Sequence, residues 1–148
     1  MTTEELREID KRVAVEMGWR VVEKETPRFA RNKYKVVDSE GNLQYSAPNE
    51  EACWSWGCPY FTTDARAADL VRLEIECRGW SLVRLDYLSK RPLPAYPSQH
   101  RAQVSVECDK GDCQYWGTSD DSPHVALCLA FLAACEANKK EVGEEASK

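Results

Sequence analysis

Three aromatic residues, Trp54, Trp56 and Tyr60, stand just before Thr62, Thr63 and Arg66. A base can stack on such rings while a phosphate meets backbone amides at a helix start and an arginine one turn further in. These six residues are the sharpest candidate ligand-binding site in the chain. The plainer alternative is that the tryptophans plug a sheet edge and the threonines only cap a helix.

Seven cysteines include two Cys-x4-Cys pairs, Cys53 with Cys58 and Cys108 with Cys113. Four thiolates suit a structural zinc, although this spacing is looser than the usual two-residue gap. The alternative packs Cys108 and Cys113 as a cross-strand pair, with Cys53 closing the loop beneath them, and no metal is assigned. The two histidines, His100 and His124, have no nucleophile or carboxylate partner in any recognisable motif. No Gly-rich phosphate loop, paired metal carboxylates or basic stripe is present, so no catalytic residue is assigned. Glu74 falls on an apolar arc and is expected to pair with Arg78 at i+4. Trp116 is expected to be covered by a helix, and would anchor a partner protein if left exposed.

Elements must hold these residues in place. Thr2 or Thr3 can cap a first helix with Glu4 and Glu5 at its positive end, Leu6, Ile9, Val13 and Met17 on one face, and Gly18 as its stop. Trp19 to Glu23, Phe29 to Val37 and Leu43 to Ser46 read as strands, the last entered by a turn over Asp38 to Asn42. Ala47 to Tyr60 holds two prolines and two tryptophans without a period and reads as an ordered loop. Thr62 and Thr63 are expected to cap a second helix from Asp64 to about Arg78, with Ala67, Leu70, Val71 and Cys77 inward and Gly79 at its end. Trp80 to Leu88 reads as a strand, and Lys90 to Gln99, with three prolines, as a loop. Gln103 to Cys108 and Cys113 to Gly117 form a hairpin with Val106 facing Tyr115. Ser122 and Pro123 open a last helix whose inward face is Val125, Cys128, Leu129, Leu132 and Cys135. The fold class is α+β: an α-β-α sandwich, mainly antiparallel, with an N-terminal helix and two later helices. One domain is expected over residues 1–138, with a charged tail over 139–148.

The segments Ile9 to Trp19, Pro59-Tyr60-Phe61-Thr62-Thr63-Asp64 and Ser122-Pro123-His124-Val125-Ala126-Leu127-Cys128-Leu129-Ala130 resemble the three recurrent blocks of the phage ABA-sandwich proteins. In that family a Met-Gly-Trp follows the first helix, a Ser/Thr-Thr-Asp step opens the second, and an Ala-Pro step opens the last. The blocks span most of residues 5 to 137. The resemblance implies a central sheet between helices and a tailed-phage or prophage origin, and it carries no catalytic residues to transfer. The chain departs from the family in the Cys53 to Cys58 loop and in the second cysteine pair.

With 25 acidic against 20 basic side chains the chain carries a formal charge of −5, which disfavours coating of DNA or RNA. The start of the chain lacks the pattern of a signal peptide, and the longest apolar run, Val125 to Cys135, is too short to cross a bilayer, so the bacterial host cytoplasm is the expected location. The expected function is a non-catalytic phage accessory protein that binds and inhibits a host defence protein. A sponge for a nucleotide signal is the alternative, and a metal-dependent nucleotide hydrolase is a third class. A homo-oligomer is expected because one small domain offers little surface.

Overall fold

The computed structural model describes residues 1–25, 31–87, 102–107, 114–119 and 122–146. Helix α1, Thr3–Glu16, is opened by a reciprocal cap. The Glu5 N–H donates to Thr2 Oγ1 at 3.2 Å, and the Thr2 N–H donates to the Glu5 carboxylate at 2.8 Å. This satisfies two amides that have no partner within the helix. Gly18 follows at φ +92°, a left-handed position that favours glycine and turns the chain back toward the sheet.

Strands β1 (Arg20–Glu23), β2 (Tyr34–Val37) and β3 (Leu43–Ala47) form an antiparallel sheet in that order. A bulge lies where Val36 pairs with Tyr45 and Val37 with Leu43, so that Gln44 is the extra residue of β3. The Asp38 to Asn42 turn is closed by the Asp38 carboxylate, which accepts from the Glu40 and Asn42 N–H groups at 3.0 and 2.9 Å.

Ala47 to Tyr60 is not a loop throughout. It contains helix α2, Glu50–Gly57, capped by Asn49, whose side chain accepts from the Ala52 N–H at 2.8 Å. Helix α3 spans Ala65–Cys77, and its cap is Asp64 rather than Thr62 or Thr63. It buries Ala67, Ala68, Val71 and Ile75, whereas Leu70 and Cys77 face outward. The expected pair forms, with Arg78 Nε 2.9 Å from the Glu74 carboxylate.

Strands β4 (Ser81–Tyr87), β5 (Ala102–Glu107) and β6 (Gln114–Ser119) make a second antiparallel sheet, in which Val106 faces Tyr115 as the hairpin spacing predicts. The fold is therefore α+β, and among the described residues the strands form two three-stranded sheets rather than one central sheet. The hairpin turn with Cys108 and Cys113, the Lys90 to Gln99 loop and His100 lie outside the described residues.

Helix α4, Pro123–Ala146, runs through the charged segment in which a tail is expected from the sequence. From Val125 to Cys135 it is buried on nearly every side, packed by α1, α3, β5 and β6. An apolar run without a polar face needs such a cover. Its residues join Ile9, Val13, Phe61, Val71, Ile75, Trp80 and Val106 in the main core. A smaller core of Val36, Ala47 and Cys53 lies between α2 and the first sheet, and Trp19 and Trp54 pack against both. Among the described residues, no helix is long and apolar enough to cross a membrane.

Candidate functional site

Arg7 organises the surface that α1 and α2 share. Its guanidinium donates to Asp10 at 2.9 Å and to the carbonyls of Trp54, Ser55, Cys58 and Pro59 at 3.3, 3.0, 2.9 and 3.2 Å. Those carbonyls end α2 and continue its exit, where the helix dipole is negative; the Trp54 carbonyl also accepts from the Cys58 N–H at 3.3 Å. One cation thus caps α2 from outside while its face lies 3.9 Å from the Tyr60 ring centroid.

Asp10 is fully buried and uses both oxygens: Oδ2 holds Arg7, and Oδ1 accepts from the Thr62 N–H at 2.8 Å. The Arg7–Asp10 pair therefore locks α1 to both the end of α2 and the approach to α3. A sequence signal for it exists, because Asp10 falls on the same helical stripe as Leu6 and Val13, where a carboxylate needs a partner.

Beside this lock runs an open groove of about 730 Å³, lined by Thr3, Glu4, Arg7, Glu8 and Lys11 of α1 and by Glu50, Glu51, Trp54 and Ser55 of α2. Lys11 Nζ lies 5.9 Å from the Trp54 ring centroid. The groove thus has an aromatic wall and four carboxylates against two cations, one of which, Arg7, is already engaged. Its field favours positively charged ligands.

Of the six residues predicted to bind a ligand, only Trp54 lines this groove. Trp56 is 71% exposed, so it does not plug the sheet edge. At about 100° per residue it lies roughly 200° around α2 from Trp54, on the flank away from α1. Tyr60 is exposed against Arg7, and Thr63 and Arg66 are exposed near the start of α3. Thr62 is only 1% exposed. The amides expected to meet a phosphate are in use: Thr63 and Asp64 donate to the Tyr60 carbonyl, and Arg66 donates to the Asp64 carboxylate. The capping chemistry of Asp64 is what displaces the predicted arrangement.

Cys53 sits in the smaller core and Cys58 in the main core, both as free thiols. Burial pushes the Cys58 thiol up from 9.0 to about 12, and burial also raises Cys53 and Cys128. Such thiols stay protonated at neutral pH and behave as small hydrophobes. Among the described residues, no group of three or more His, Cys, Asp or Glu side chains gathers to hold a metal. Comparison with protein-family models, curated proteins and solved structures gives no match for this chain.

Proposed function

We propose that this chain is a non-catalytic phage accessory protein that binds a component of bacterial host defence and inhibits it. The observation that carries the binding role is the α1–α2 groove, where Glu4, Glu8, Glu50 and Glu51 surround Trp54 on helices held rigidly by Arg7. Two anchored helices present that chemistry without the ordering cost that a flexible loop would add to binding. The formal charge of −5 speeds encounter with a basic surface. The phage setting and the defence target rest on the resemblance of the three sequence blocks.

A nucleotide sponge fits less well, because phosphates would enter against four carboxylates and would find the amides before α3 already engaged. Saturable nucleotide binding that Arg66→Ala abolishes would reinstate it.

The test is expression of the chain in defence-bearing bacteria challenged with a sensitive phage, together with tagged pull-down from the same cells. Rescue of phage growth and capture of one defence protein are expected. The double charge reversal Glu50→Lys with Glu51→Lys should lower capture about tenfold or more, since each like-charge contact in an interface costs on the order of 1 kcal/mol or above. Failure to rescue, or capture indifferent to the reversal, would remove the reading.

A further inference from the structure

The cation nearest the aromatic wall of the α1–α2 groove belongs to the chain itself. Lys11 Nζ lies 5.9 Å from the Trp54 ring centroid, at the outer limit of a cation–π contact. Glu4, Glu8, Glu50 and Glu51 line the same groove, and among the described residues none of the four forms an ion pair. Lys11 therefore meets the ring and leaves the carboxylates unmatched. Arg7, the other cation, is committed to Asp10 and to four carbonyls. Lys11 is not confined to this one place. With Glu8 it also lines a second groove, of about 270 Å³, on the α4 side of α1, where Glu16 and Glu136 stand. A flexible four-carbon stem lets its ammonium serve either groove.

We propose that Lys11 is a built-in competitor, which an arginine side chain of the partner protein replaces on Trp54 while Lys11 moves to the α4 side of α1. This rests on the groove being the binding surface. The chemistry of the groove selects an arginine. Among the described residues no three acidic side chains gather where they could hold a metal ion, so the negative charge is spread along two helices and not focused on one centre. A guanidinium suits that spread: its flat face stacks on the indole while its fork donates to a carboxylate at the rim. It is also more weakly hydrated than the ammonium it displaces. Because the ring is already served by a lysine, a partner gains at Trp54 only what its own cation offers beyond Lys11. The rest of its affinity comes from the carboxylates that Lys11 leaves unpaired. Lys11 thus favours partners that bring an arginine together with further basic residues over those that bring a single lysine.

Calorimetric titration of the full chain with an acetylated tetra-arginine amide tests this. The wild type is expected to bind the peptide, and Lys11→Gln to bind it about three- to sixfold tighter, the gain from freeing a ring otherwise occupied at cation–π strength. Glutamine keeps the helix propensity of the position. Arg72→Gln removes the same charge from the exposed face of α3, off the groove, and should stay within about twofold of the wild type. A second readout follows the displacement itself. In the free protein the Lys11 ε-methylene protons feel the ring current of Trp54, and the peptide should return their NMR shift toward that of an exposed lysine. A purely electrostatic role for Lys11 would leave that shift unmoved. Lys11→Gln binding no tighter than Arg72→Gln, or a Lys11 signal that stays put as the peptide binds, would overturn the proposal. The groove would still stand as the binding surface if Glu50→Lys with Glu51→Lys abolished that binding. A peptide that binds neither the wild type nor Lys11→Gln, or that binds the charge-reversed variant as well as the wild type, would remove the groove reading and this proposal with it.

Discussion

Arg7 and Asp10 show how one ion pair becomes structural. Asp10 is fully buried, and its charge is tolerable only because a guanidinium and an amide hold its two oxygens. Arg7→Ala would strand that charge and take one donor from each of four carbonyls at the end of α2, so a loss of roughly 3–5 kcal/mol in urea unfolding is expected. Arg7→Lys should recover only part of it, since an ammonium lacks the planar fork. The cysteines make a separate prediction in pH. The folded Cys58 thiol ionises near 12 and the unfolded one near 9.0, so the unfolded state loses its proton first. Its contribution is complete below pH 9.0 and disappears as pH rises to about 12; Cys53 and Cys128, also raised by burial, act in the same direction. Denaturation midpoints across that window should fall steadily, and less in Cys58→Ala. At this scale the sequence was readable where partners are local, as with Glu74 and Arg78. It was silent where the partners of Arg7 lie 47 to 52 residues away.

Elements with strong end signals were the most legible, and α2 shows what hides one. The helix is only eight residues long and falls between Pro48 and Pro59, too short for a period to emerge. Its start was written nonetheless, in Asn49 followed by Glu50 and Glu51. The Lys- and Glu-rich stretch after Asn138 misleads in the opposite way, because charged residues suggest solvent yet are good helix formers. Gly57 provides the test of how closely α2 meets the sheet. In an open helix Gly→Ala adds about 1 kcal/mol of stability. Here the new Cβ would fall 2.4 Å from Val36 Cγ1 and 2.7 Å from Tyr45 Cβ, so the helix must lift. Gly57→Ala is therefore expected to destabilise by roughly 1–3 kcal/mol, the usual cost of overpacking, and a stabilised variant in urea unfolding would refute that contact.

At the scale of the whole molecule the chain builds unequal cores, a large one around α4 and a small one under α2. The alternation within strands shows which faces are inward, but it does not say whether distant strands share one sheet, so the division into two was not legible. Trp19 and Trp54 touch both cores, and with Val21, Tyr34 and Ala52 they pack against the small one, in which Val36, Ala47 and Cys53 alone bury little apolar area. A unit with so few buried neighbours opens at lower free energy than the rest. Amides of β2 and β3 should then exchange faster with solvent deuterium than those of α4 between Val125 and Cys135. Trp54→Ala removes the bridge and should widen that gap, lowering protection in β2 and β3 while leaving α4 nearly unchanged. Equal loss in both regions would mean that the two cores unfold as one unit, with Trp54 a contributor to global stability and not a link between parts.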